Sequence, residues 1–136
     1  MWTKKGKYGL KALLHLAALP AGTSALSSEI AAAHALPAKF LEAILLELRN
    51  AGFIRSRKGK GGGYYLKLPP NKISLARIIR KIDGPISMLP CVSLYFYERC
   101  KNCDEKNCGL HDTMVLVRDA NLKLLEKKTV ADLAKK

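Results

Sequence analysis

Between two short runs of β-forming residues, Phe53-Ile54-Arg55-Ser56-Arg57 and Tyr64-Tyr65-Leu66-Lys67-Leu68, lies the segment Lys58-Gly59-Lys60-Gly61-Gly62-Gly63. Glycine enters the positive-φ conformations of tight turns without a Cβ penalty. Pro69-Pro70 stops the second run, so the whole reads as a β-hairpin with a basic, permissive tip. The flanking segments carry helical rather than alternating periodicity. The expected class is therefore mainly α with one small β-hairpin.

The helices follow from spacing and capping signals. A first helix is predicted over about Lys5 to Leu19, with Tyr8, Ala12, Leu13, Leu16, Ala17 and Leu19 near its buried side and Pro20 with Gly22 ending it. A second, ending near His34, is expected to start at Ser27 or Ser28, where a hydroxyl can cap free N–H groups and Glu29 suits the helix dipole. Pro37 suits the first position of a third helix, in which Leu41, Ile44, Leu45 and Leu48 form a buried stripe and Asn50 with Gly52 marks the end. Two short helices joined by a tight turn make a helix-turn-helix, and the hairpin after it then takes the place of a wing. Ser74 can cap a fourth helix with the stripe Leu75, Ile78, Ile79 and Ile82, stopped by Gly84-Pro85.

Farther on, Leu110, Met114, Val117, Asn121 and Leu124 recur at helical spacing along a long helix, and Thr129-x-x-Asp132 has the form of a capping box. A long apolar-faced helix at the end of so small a protein can pack back on its own core or pair with a twin, and pairing suits a reader of two half-sites. The 136 residues can bury one modest core. They divide into a winged helix-turn-helix unit (1–84), a cysteine-rich cofactor loop (85–108), and a dimerisation helix with tail (109–136). No apolar run approaches the roughly 20 residues needed to span a bilayer, and Lys11 and His15 interrupt the segment Tyr8 to Leu19. A cytoplasmic protein without a membrane role is expected.

The net charge of +13 is unevenly placed. Residues 1 to 81 hold 15 Lys and Arg against only Glu29, Glu42 and Glu47, while residues 82 to 136 hold nine against eight acidic residues. Confinement of the excess to the helix-turn-helix half points to a polyanion, and the wing favours double-stranded DNA over an anionic membrane. Candidate DNA-binding residues are Lys4, Lys5 and Lys7 at the start of the first helix, and Ser28, Ala38, Lys39 and Glu42 in the helix pair. Arg55, Ser56, Arg57, Lys58 and Lys60 are the candidates on the wing.

Lysine and arginine beside glycines let both charge and backbone N–H groups approach phosphates. The plainer alternative is that the lysines only solvate an exposed turn. Glu42 could accept a hydrogen bond from a cytosine amino group or serve as a surface partner within its helix. The glycine run is no P-loop, because a strand rather than a helix follows and no hydroxyl succeeds the lysine. No aromatic platform suggests RNA.

All four cysteines lie close together as Cys91-x8-Cys100-x2-Cys103-x4-Cys108, with His111 shortly after as a possible alternative ligand or an ordinary residue of the helix start. Four soft donors in one loop suit tetrahedral zinc or an iron-sulfur cluster. Unligated thiols are the bland alternative. A thioredoxin-like use of Cys100-x2-Cys103 lacks its βαβ setting, so no enzyme activity is expected.

Several segments together resemble the Rrf-type winged helix-turn-helix transcription regulators of bacteria, a family with iron-sulfur and nitric-oxide-sensing members. They are Thr3-Lys4-Lys5-Gly6-Lys7-Tyr8-Gly9, Pro37-Ala38-Lys39-Phe40-Leu41-Glu42 with Ile44-Leu45, Gly61-Gly62-Gly63-Tyr64, and Ile82-Asp83-Gly84-Pro85. The similarity covers nearly the whole chain. It implies a homodimer joined through the helix near 109–128, with two winged modules on a palindromic operator.

On that resemblance Glu42, Ser56 and Lys58 match base-reading positions, Lys58 standing where the iron-sulfur regulator has arginine. Cys91, Cys100 and Cys108 match the three family cysteines, and Cys103 is an addition. The implied function is transcription regulation by operator binding, controlled by a [2Fe-2S] or [4Fe-4S] cluster that responds to redox state, nitric oxide or iron. A zinc-stabilised or cofactor-free DNA binder and a small iron-sulfur electron carrier are the competing readings.

Overall fold

The computed structural model describes residues 2–134. Helices α1 (Lys4–Ala17), α2 (Ser27–His34) and α3 (Ala38–Asn50) precede strands β1 (Ile54–Arg57) and β2 (Gly63–Leu66). After them come α4 (Leu75–Ile82), α5 (Gly109–Lys127) and the short α6 (Val130–Ala134), with single 3-10 turns at Pro70–Lys72, Pro90–Val92 and Glu105–Asn107. The mainly helical class with one antiparallel hairpin is as the sequence predicts. The hairpin register pairs Ile54 with Leu66, Arg55 with Tyr65, Ser56 with Tyr64 and Arg57 with Gly63.

One core serves the helix-turn-helix and its neighbours. Leu13 and Leu16 of α1 meet Ile30 of α2, the α3 stripe Leu41, Ile44, Leu45 and Leu48, then Phe53, Ile54, Ile73, Ile78 and Ile82. Full burial of each such side chain contributes about 1.5–3 kcal/mol, which holds α3 with its opposite face outward. Val130 of α6 joins this same core. It is held there because Val130 N–H donates to the Ile73 carbonyl at 2.9 Å and Leu75 N–H to the Lys128 carbonyl at 2.9 Å. The chain end thus packs on the unit formed by its first half.

One helix cap and one helix start differ from the sequence expectation, although α2 does begin at Ser27. Leu26, not Ser27 or Ser28, is the N-cap of α2, and no side chain caps that helix. The reason is tertiary: Ala25 forms a strand-like bridge with Tyr64, with N–H to carbonyl distances of 3.0 and 2.7 Å, which fixes the chain just ahead of the helix. Pro37 is the N-cap of α3, with ψ of 123°, and Ala38 is the first helical residue. By contrast Ser74 caps α4, accepting from Arg77 N–H at 3.2 Å. Thr129 and Asp132 form their box, each side chain accepting from the other's backbone N–H.

Helix α5 presents its apolar residues outward. Leu122 is buried, whereas Leu110, Leu116 and Leu124 are 57%, 71% and 58% exposed. Of the stripe read from the sequence, Leu110, Asn121 and Leu124 are exposed on the single chain, while Met114 and Val117 are half-buried. Among the described residues no helix is long and apolar enough to cross a membrane.

Candidate nucleic-acid interface and cysteine loop

Burial of the α3 stripe leaves Ala38, Lys39 and Glu42 exposed on the other side of the helix, and Ser28 is exposed on α2. On the hairpin Ile54 turns into the core while Arg55, Ser56, Arg57, Lys58 and Lys60 are exposed. Lys4 and Lys7 are free at the surface, but Lys5 is drawn to Glu47 of α3 at 2.7 Å. A half-exposed pair of this kind contributes about 0–1 kcal/mol, and it ties one of the three N-terminal lysines to the protein itself. Arg57 is likewise engaged: its Nη1 donates to the Gly22 carbonyl at 3.1 Å, and its guanidinium lies 5.0 Å from the centre of the Tyr65 ring.

Other residues around this surface escaped the sequence reading because their partners are distant in the chain. Ser24 Oγ donates to the Gly61 carbonyl at 2.7 Å. His15 Nδ1 and His34 Nε2 are 3.2 Å apart, joining the last turns of α1 and α2. Phe40, 40% exposed at the start of α3, meets Tyr8 edge to face. No local signal pointed to Ser24, whose partner Gly61 lies 37 positions along the chain.

The cysteine loop is built against α5. Cys91 is buried in the Pro90–Val92 turn, which Arg118 of α5 holds by donating from Nη1 to the Val92 carbonyl at 2.8 Å. Asp104 orders the following turn by accepting from Lys106 N–H and Asn107 Nδ2 at 3.1 and 2.6 Å. Tyr97 Oη donates to Glu105. Cys108 is the N-cap of α5, its sulfur accepting from His111 N–H at 3.3 Å, while the His111 ring turns toward Asp112 at 3.4 Å. His111 thus meets Cys108 through its backbone.

Cys91 and Cys103 are both perturbed by their surroundings in the loop. The Cys103 thiol is pushed up to about 11, first by hydrogen bonding to Cys100, then by burial and by a contact with Cys108. Burial foremost, with the negative fields of Cys100 and Glu105, also raises Cys91. Thiols grouped in this way resist ionising alone and become thiolates where a cationic centre offsets their charge. Among the described residues no three His, Cys, Asp or Glu side chains are already arranged to hold a metal ion. In donor type and number the loop fits zinc or an iron-sulfur cluster; Cys91 is buried, Cys100 exposed and Cys103 and Cys108 half-buried.

The model of the Rrf2 family, iron-dependent transcriptional regulators, matches residues 2–136. This chain belongs to the Rrf2 family. An rrf2-like HTH-type transcriptional regulator of Rhodobacter capsulatus is 42% identical over 137 residues, covering 98% of this chain and 91% of that protein. The structure of CymR, the global cysteine regulator of B. subtilis, is similar with a TM-score of 0.80 at 31% identity, covering 99% of this chain and 96% of that one. T. potens IscR is similar with a TM-score of 0.78 at 26% identity, covering 99% and 86%. The fold is accordingly a winged helix-turn-helix, and this Rrf2-family protein is a DNA-binding transcriptional regulator rather than an enzyme.

Proposed function

We propose that this Rrf2-family regulator is a cytoplasmic homodimer that reads a palindromic DNA operator, and that an iron-sulfur cluster held by Cys91, Cys100, Cys103 and Cys108 sets its operator affinity. The observation that carries this reading is the position of the cysteine loop. It follows the winged unit and is joined to α5 at both ends, by Cys108 as the helix cap and by Arg118 on the Val92 carbonyl. The uncovered leucines of α5 are the surface on which a second copy would pack, and pairing gives the two half-site readers a palindrome needs. In this reading Glu42 on α3, with Ser56 and Lys58 on the wing, faces base edges, and Lys39, Ser28, Ala38, Lys4, Lys7, Arg55 and Lys60 line the phosphate path.

When bound, such a cluster supplies one-electron chemistry and lability toward oxidants, nitric oxide and iron loss. The protein's own part is to convert the state of four sulfurs into the geometry between two wings. Any change in how the Cys108 sulfur is held alters the first turn of α5, since that sulfur accepts the His111 N–H. The helix carries the change to the dimer axis. Operator affinity then shifts by the difference in stability of the two arrangements.

The test is fluorescence anisotropy with a duplex enriched by this protein from a random-sequence library, comparing anaerobically reconstituted and chelator-stripped protein. The two forms should differ in affinity by about 10-fold or more, within the usual range of allosteric coupling. Equal affinities would sink cluster control.

A further inference from the structure

The wing does not stand by itself. Each of its strands has only four residues, and an isolated two-stranded hairpin is marginally stable in water. The loop between α1 and α2 supplies what the hairpin lacks. Ala25 exchanges two backbone hydrogen bonds with Tyr64, Ser24 Oγ donates to the Gly61 carbonyl at 2.7 Å, and Arg57 Nη1 donates to the Gly22 carbonyl at 3.1 Å. Gly63, at φ of +136°, lies so close to the Ala25 carbonyl that no Cβ fits there.

We propose that Arg57 and Ser24 are wing-positioning residues: they fasten the hairpin tip to the 22–25 loop so that Lys58 and Lys60 are presented to DNA, and Arg57 is not itself a phosphate contact. This refines the DNA-binding surface and rests on the proposed reading only in taking the wing to touch DNA. The argument is one of direction and occupancy. Arg57 is the last residue of β1 and pairs with Gly63, which has no side chain to cover. Its guanidinium turns back over Tyr65 and donates toward the loop, so the charge is held against the protein. Among the described residues no hydrogen bond or ion pair engages the side chains of Lys58, Lys60 or Arg55.

The two ties are also complementary. Ser24 fixes the backbone at the tip, and Arg57 fixes the end of the strand leading into it. Between them run Lys58, Gly59 and Lys60, whose conformation would otherwise have to be ordered on binding at an entropic cost. A fastened tip meets the phosphates already ordered.

Amide exchange of the DNA-free, full-length protein tests this without reference to operator or cofactor. Ser24→Ala and Arg57→Ala should each speed exchange of the Gly62 and Tyr64 amides by several-fold, leaving the global unfolding midpoint unchanged, because both side chains lie at the surface. Binding to a duplex enriched from a random library should weaken by about 3–10-fold in each, with the double variant losing less than the product of the two. Ser24→Thr, which keeps the hydroxyl, should restore both readouts. Lys58→Ala should weaken binding with wing exchange unaltered. Unchanged wing exchange in Arg57→Ala, or wild-type binding by Ser24→Ala, overturns the proposal.

Discussion

The Asp83 carboxylate holds the beginning of α1: it accepts the Thr3 backbone N–H at 3.1 Å and the Thr3 hydroxyl. The same hydroxyl oxygen accepts from Gly6 N–H at 3.1 Å, so one side chain caps the helix while being fixed from the end of α4. Two of the segments that carry the family resemblance, Thr3 to Gly9 and Ile82 to Pro85, therefore meet in space. Gly6 is required there because a Cβ would collide with the anchored carboxylate.

Gly6→Ala should accordingly destabilise the protein by about 1–3 kcal/mol through overpacking, although alanine is the better helix former. In an Asp83→Ala background, where the obstacle is gone, the same change should be nearly neutral or stabilising. Urea denaturation of the four proteins in this cycle measures the coupling. Equal effects of Gly6→Ala in both backgrounds would show that the two residues do not constrain each other.

The His15 and His34 pair makes stability depend on pH. His34 is held below the ordinary imidazole value, by burial first and then by the neighbouring charges of His15 and Lys11. The unfolded chain therefore takes the proton first. The contribution is complete above the unfolded pKa of about 6.5 and is lost as pH falls through the folded value. Thermal melts at about pH 7 and pH 5 should show a larger drop for wild type than for His34→Gln; parallel drops would remove this pair as the source.

Lys58 and Lys60 should act through counterion release. Each phosphate contact adds about 0.9 to the slope of log affinity against log salt concentration. Lys60→Ala should lower the slope by roughly one contact and weaken binding about evenly across DNA sequences, whereas Lys58→Ala should also relax the preference for the base it faces. Lys5→Ala should change the slope less, because Glu47 already partners that ammonium. Anisotropy titrations at several salt concentrations decide the matter, and an unchanged slope in Lys60→Ala would place the wing off the phosphates.

Leu124→Glu should weaken the proposed dimer by roughly 100-fold, as expected for a charge set into an apolar interface, while the protomer stays folded. Leu124 is 58% exposed on the single chain and lies outside its buried core. Sedimentation velocity at several concentrations reads the outcome. A variant that associates as wild type does would move the interface off this face of α5.

What the sequence made legible was what one segment decides alone. The α3 stripe, the Ser74 cap and the Thr129 and Asp132 box all involve partners within a few residues, and their spacing is their physics. α2 begins at Ser27 as its sequence suggests, but the serine cap expected there is absent, because the contact that fixes the chain ahead of it, Ala25 with Tyr64, spans 39 positions. Arg57 gave the same signal as Lys58, a cation beside glycines, and only packing separates the one that turns back on Gly22.

In the cysteine loop, donor type and number were readable. The thiol contacts and the tie from Arg118 to Val92 depend on how the loop lies on α5. For α5 itself, periodicity revealed an apolar face but could not say that the protomer leaves it uncovered.

The most direct test of cluster control is a visible absorption spectrum of anaerobically purified protein, with iron, acid-labile sulfide and zinc assayed on the same sample. The account predicts a brown protein with iron and sulfide in comparable amounts, and loss of the colour on Cys91→Ala or Cys108→Ala. A colourless protein carrying zinc or no metal would contradict it, leaving a winged-helix regulator whose cysteines stabilise the fold or respond as thiols.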